Sequence, residues 1–248
     1  MLEKHSLNQQ DILATNIAHV RSTIAAAAQR AGRQPGEITL VAVSKTKPIE
    51  LIQMAYELGL TTFGENRVQE ASQKAGVFHP PDIHWHMIGH LQSNKAGKVI
   101  GTFDCVHSVD SLHLAQILNQ HAARAGLRLP IFLQVNVSGE QSKEGMHPDE
   151  TAEIARHIVQ LPNLEVQGLM TIAPQVTDPE QVRPVFRALR QLRDTLRQKV
   201  VECSWPHLSM GMTDDYPVAI EEGATIVRVG RAIFGERASK GELHHETR

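Results

Sequence analysis

From Asn8 onward the apolar positions Ile12, Ile17, Val20, Ile24, Ala27 and Ala28 recur roughly at helical spacing and stop before Gly32. That spacing predicts one leading helix over residues 8–31. Beyond it, short apolar runs alternate with amphipathic segments. The runs predict strands at 39–43, 61–64, 84–88, 105–109, 131–137, 166–172, 208–210 and 226–229. Between them, helices are expected after Pro48, which suits a first helical turn, and at 66–75, 93–99, 111–125, 148–160, 179–199 and 214–222. Asp110 or Ser111 is the natural cap of the 111–125 helix. Strand and helix in strict alternation imply a parallel sheet joined by crossover helices, and eight strands permit closure into a (β/α)8 barrel. An open, doubly wound sheet is the alternative, because counting strands does not establish closure.

No Pro/Gly-rich linker divides the chain. Residues 1–237 are expected to form a single domain, with the leading helix included, and 238–248 a flexible tail. The length of 248 residues is ordinary for one such barrel. The longest charged segment, 179–199, carries Arg183, Arg187, Arg190, Arg193 and Arg197 at spacings of three and four. A stripe of this kind is usually a solvated face, here partly offset by Glu180 and Asp194, though an anionic partner would also fit it.

Composition narrows the functional classes. With 25 basic and 27 acidic residues the net charge is −2, which builds no field for nucleic acid or anionic membrane. Cys105 and Cys203 form no disulfide framework and suit a reducing compartment. The first residues lead into an amphipathic stretch, so neither a signal peptide nor a membrane span is expected, and the cytoplasm is the expected location.

Candidate chemistry gathers at the carboxyl ends of the expected strands, where barrel enzymes place their reactive groups. Lys45 follows the first strand. An amine held at an apolar rim is partly desolvated, which favours its neutral form and lets it attack a carbonyl. Taken alone, a lysine closing a surface strand is the more ordinary reading. At the far end of the chain Ser209 and Thr213 offer hydroxyls, and Gly230 and Arg231 offer backbone N–H groups past the last strand, which together could hold a phosphate. Arg228 shares strand parity with Ile226 and Gly230 and so points to one face with them, a face that could be the barrel lumen. A buried guanidinium needs a partner, either Glu65 or Asp214 or something that is not protein. Asn66 could bond a phenolic oxygen or cap the second barrel helix. His84 and His86 share a face, with His90 just beyond, but no ligand-spaced acid or cysteine accompanies them in sequence, and no metal site is expected.

The strings VAVSKTKP, FGENRVQE, HWHMIGHLQSNK, GLMTIAP and LSMGMTDDYPVAIEEGATIVRVGRAIFG, spread in order over residues 38–235, resemble the pyridoxal phosphate homeostasis protein family. Its members are single-domain relatives of the amino-acid racemase barrel. The resemblance implies a modified (β/α)8 barrel holding pyridoxal 5′-phosphate as a Schiff base on Lys45. It also implies phosphate contacts from Ser209, Thr213, Gly230 and Arg231, with Arg228 facing the pyridine nitrogen and Asn66 and His90 near the cofactor. A cation beside that nitrogen opposes its protonation and makes the ring a weaker electron sink. Racemisation needs an acid/base group on each face, and the two tyrosines, Tyr56 and Tyr216, fall on expected helices rather than on a rim loop. The expectation is therefore a monomeric, non-enzymatic carrier. Its partners would be pyridoxal phosphate, other B6 vitamers and the apoenzymes that use them. A racemase or lyase, and a regulatory protein that signals cofactor status, are the alternatives.

Overall fold

The computed structural model describes residues 8–140 and 143–236. Its strands are β1 (Thr39–Val43), β2 (Thr62–Glu65), β3 (His84–Met87), β4 (Cys105–Val109), β5 (Leu129–Gln134), β6 (Leu164–Met170), β7 (His207–Ser209) and β8 (Ile226–Val229). All pair in parallel with their sequence neighbours, and β8 returns to β1 through Thr39↔Ile226 to Ala42↔Val229, closing the barrel. The helices are α1 (Gln9–Arg30), α2 (Ile49–Glu57), α3 (Val68–Val77), α4 (Leu112–Ala125), α5 (Pro148–Ile158), α6 (Arg183–Lys199), α7 (Tyr216–Glu221) and α8 (Arg231–Phe234). Among the described residues no helix is long and apolar enough to cross a membrane.

Strand alternation separates two cores. In β1, Ala42 joins the outer layer between sheet and helices, whereas Val41 joins Cys105, Phe132, Met170 and Ile226 in a small cluster inside the barrel. Around that lumen cluster sit polar side chains, and these build the site described below.

Most expected elements form, with local differences. Ile12 is 48% exposed and Leu13 takes the buried position in α1. Residues 93–98 form a 3-10 helix rather than an α-helix. The fifth strand begins at Leu129, so it includes Pro130, and it ends at Gln134. Arg67, not Asn66, occupies the cap position of α3. Helix α4 is capped by Ser111, whose side chain accepts from the Leu114 N–H. The expected tail, 238–248, lies outside the described residues, as do 1–7, 141, 142 and 237 of the expected domain.

Helix α1 packs across α7 and α8. Asn16 donates to the Ile233 carbonyl at 3.0 Å, and Arg33 to the carbonyls of Ile220 and Ala224 at 3.1 and 2.7 Å. The arginine stripe of α6 is largely absorbed inside the molecule. Arg183, Arg187 and Arg190 converge on Glu222 at 3.3, 2.9 and 3.1 Å, while Arg193 and Arg197 both meet Asp194.

Candidate functional site

A cavity of about 560 Å³ opens at the carboxyl ends of the strands. Lys45, Asn66, Thr213, Arg228, Gly230 and Arg231 all line it. The chain also places there Lys47, Ile172, Gln175 and Met212, which sequence reasoning did not single out. Lys45 comes from the end of β1 and Arg228 from β8, neighbouring strands at the closure of the barrel, which is why residues far apart in sequence share one wall. Gly89 supports Asn66 from below: a Cβ there would lie 2.5 Å from the Asn66 carbonyl oxygen, so only glycine allows the approach.

Two of the expected residues are not brought to the cavity lining. His90 is exposed at the rim, paired with Glu144 at 3.1 Å and Asp110 at 3.6 Å. Ser209 is fully buried in the lumen, where its hydroxyl meets the Arg228 guanidinium and the His107 ring. The hydroxyl is thus engaged on both sides within the lumen.

The turn that carries Lys45 is clamped from α3 and β2. Lys74, almost fully buried, donates to the Ser44 carbonyl at 2.8 Å, to Glu65 at 2.6 Å and to Glu70 at 2.7 Å. Ser44 donates its hydroxyl to Glu65 at 2.7 Å, and the Thr46 N–H donates to Glu70 at 2.5 Å. The residues on both sides of Lys45 are thus held by one charge network. It also holds Thr46 at φ 62°, a left-handed conformation that is rare for a residue other than glycine. Burial raises the Glu65 carboxyl above its ordinary value, against the opposing pull of Lys74 and Ser44. On the other flank Lys47 donates to the carbonyls of Phe234, Gly235 and Glu236 at 3.0, 3.1 and 2.8 Å, tying the same turn to the end of α8.

Arg228 is 3% exposed. It donates to Ser209 Oγ at 2.6 Å and to the Thr171 carbonyl at 2.8 Å. Neither carboxylate considered from sequence is its partner: Glu65 pairs with Lys74, and Asp214 with Arg231. Burial pushes Arg228 down to about 10, with the buried Asp215 opposing the shift, so it remains a cation at neutral pH. Behind it, His107 Nδ1 lies 2.8 Å from Ser209 Oγ, and His107 Nε2 lies 2.9 Å from His86 Nδ1. Burial holds both imidazoles below the usual histidine range, His86 at about 4.

Cys105 completes a group with His86 and His107 whose ligand atoms lie within 4.8 Å of one another, so the fold brings to His86 the cysteine that sequence spacing lacked. Burial raises the Cys105 thiol well above its ordinary value, which keeps it protonated. The imidazole contact has the length of a hydrogen bond, and a guanidinium stands one residue away; these features favour hydrogen bonding over metal ligation.

The phosphate candidates sit where β8 meets α8. The Gly230 N–H donates to Thr213 Oγ1 at 3.3 Å, and α8 starts at Arg231. The first turn of a helix leaves backbone N–H groups without intrahelical partners. Asp214 pairs with Arg231 at the mouth.

Comparison with known proteins places this geometry. The family model described as alanine racemase, N-terminal domain, matches residues 15–238. The pyridoxal phosphate homeostasis protein of Aquifex aeolicus is 44% identical over 221 residues, which cover 89% of this chain and 96% of that protein. PipY of Synechococcus elongatus, solved with PLP bound, superposes with a TM-score of 0.81 at 37% identity, over 90% of this chain and all 100% of that one. Alanine racemase of Clostridium difficile 630 superposes with a TM-score of 0.74 over 93% of this chain and 61% of that one, but at 16% identity this likeness shows the fold alone. The chain belongs to the pyridoxal phosphate homeostasis protein family, built on the barrel of the alanine racemase N-terminal domain.

Proposed function

We propose that this protein holds pyridoxal 5′-phosphate in the cavity at the barrel mouth and releases it again, taking part in cofactor homeostasis. The observation that carries the reading is the meeting of Lys45, Arg228, Thr213, Gly230 and Arg231 on one cavity wall. The residue set suits the ligand. It offers an amine for an aldehyde, a hydroxyl and a helix start for a doubly charged phosphate, and a buried cation with no ion pair among the described residues for a basic ring nitrogen. When bound, the cofactor supplies an aldehyde that condenses with an amine and a ring that can withdraw electrons.

Each residue has a task in this reading. Lys45 captures the aldehyde. Arg231 and the start of α8 hold the phosphate together with Thr213. Asn66 borders the ring. Arg228 opposes protonation of the ring nitrogen, which restrains carbanion chemistry. Neither tyrosine lines the cavity: Tyr56 donates to Asp82, and Tyr216 is buried at the start of α7. That arrangement supports a carrier with little turnover over a racemase, which needs a second acid/base group. We further propose that the chain acts as a monomer in the cytoplasm. It would also accept other phosphorylated B6 vitamers and deliver cofactor to apoenzymes that require it.

The test is an absorbance spectrum of the purified protein before and after borohydride, followed by mass mapping. A visible band lost on reduction, with the label on Lys45 and none in Lys45→Ala, is expected. A colourless protein unable to take up the cofactor, or a label at another lysine, would sink the reading. Robust inversion of an amino acid dependent on Lys45 would instead establish the racemase.

A further inference from the structure

The barrel lumen holds a row of polar groups that do not line the cavity: His86, His107 and Ser209, in that order, leading to Arg228. Their protons can be placed by elimination. A guanidinium only donates, so Ser209 Oγ must accept from Arg228. The hydroxyl has one proton of its own, and the His107 Nδ1 atom at 2.8 Å is where it can go. His107 then accepts at Nδ1 and carries its proton on Nε2, from which it donates to His86 Nδ1 at 2.9 Å. His86 in turn carries its proton on Nε2, and it is the partly exposed end of the row.

The reverse order fails twice. With His107 donating from Nδ1, the fully buried Ser209 would accept two hydrogen bonds and leave its own proton unplaced. The imidazole dipoles would also turn their positive ends toward the guanidinium. In the forward order every dipole turns its negative end to Arg228, which offsets part of the cost of burying a cation without an ion pair. Phe132 stacks beside the His107 ring at a centroid distance of 4.5 Å and limits its rotation.

We propose that His86, His107 and Ser209 are positioning residues for Arg228: a hydrogen-bond chain with a single proton order, Nε2–H on both imidazoles, that fixes the guanidinium on the cavity wall. The consequence for the cofactor rests on the reading that pyridoxal phosphate lies against Arg228, whereas the proton order does not.

The first test therefore uses the unaltered protein without cofactor, labelled with nitrogen-15 histidine. At pH 7 both His86 and His107 should show neutral rings, with Nδ1 unprotonated and Nε2 protonated. A His107 ring protonated at Nδ1, a charged ring, or the shifts of metal-bound imidazole in the protein as isolated would overturn the proposal. The second test loads Ser209→Ala and His107→Phe with pyridoxal phosphate after circular dichroism has shown both folded. Covalent capture by Lys45 should persist, but the visible band should shift, and cofactor loss on dilution should quicken about tenfold. An unchanged spectrum and unchanged loss in both variants would refute the positioning role. A wild-type protein that takes up no cofactor would end the functional reading while leaving the tautomer result to decide the proton order.

Discussion

Arg228 lies between two oxygen acceptors, Ser209 Oγ and the Thr171 carbonyl, and this decides what can replace it. Arg228→Met removes a buried charge, which relieves desolvation, but strips the Thr171 carbonyl of its donor, which costs about 1–3 kcal/mol. These effects oppose each other, so urea denaturation should show a stability change no larger than about 2 kcal/mol. Cofactor retention should nevertheless fall by about tenfold or more. Arg228→Glu sets a carboxylate against those same oxygens and should be far less stable than Arg228→Met; equal stability of the two would contradict the geometry. Arg228 was legible in sequence because strand parity gave its face and a buried cation demands an answer. His107 was not legible. It sits in a strand buried throughout, and its partner Ser209 is 102 positions away, so only the closed barrel makes them neighbours. The two contacts of Ser209 were not legible for the same reason, since a hydroxyl at a strand end looks free until the lumen side is known.

At the scale of elements, the strands were legible because buried parallel strands are short apolar runs, and their ends shifted where local chemistry intervened. Residues 93–98 form a 3-10 helix because an expected helical pattern does not fix which hydrogen bond closes the turn. What the pattern could not show is that α3 acts on the turn after β1. Lys74 and Glu70 lie one helical turn apart on α3, and together they hold Ser44 and Thr46 around Lys45. Glu70→Gln keeps an acceptor for the Thr46 N–H, whereas Glu70→Ala loses it and lets the left-handed Thr46 relax. Cofactor capture by Lys45 should accordingly be near normal in Glu70→Gln and slowed severalfold in Glu70→Ala. Stopped-flow absorbance would measure both, and identical rates in the two variants would show that the clamp does not set the lysine. Lys74→Met should be harsher, costing about 3–5 kcal/mol, because it strands the buried Glu65 carboxylate.

For the whole molecule, the same interior that holds Arg228 makes stability depend on pH. Closure was not legible from strand count; it rests on the pairing of β8 with β1, and only closure encloses His86 and His107. Burial depresses both from the ordinary histidine value of 6.5, to about 4 for His86, so the folded chain binds fewer protons than the unfolded chain in that interval. The stability they contribute is complete above 6.5 and declines as pH falls toward the folded values. The slope approaches about 1.4 kcal/mol per pH unit for each histidine. The carboxylates of Glu180, Glu221 and Glu222, held below their ordinary value of 4.5, add a further loss only at lower pH. Glu65 and Asp215, raised by burial, work in the opposite direction. Urea midpoints should therefore drop between pH 7.5 and pH 5, before the bulk of the carboxylates titrate, and His86→Gln should flatten that part of the profile. A His86→Gln profile as steep as that of the wild type over the same range would mean that the His86 imidazole accepts a proton inside the fold, against the order of hydrogen bonds proposed from Arg228 to His86.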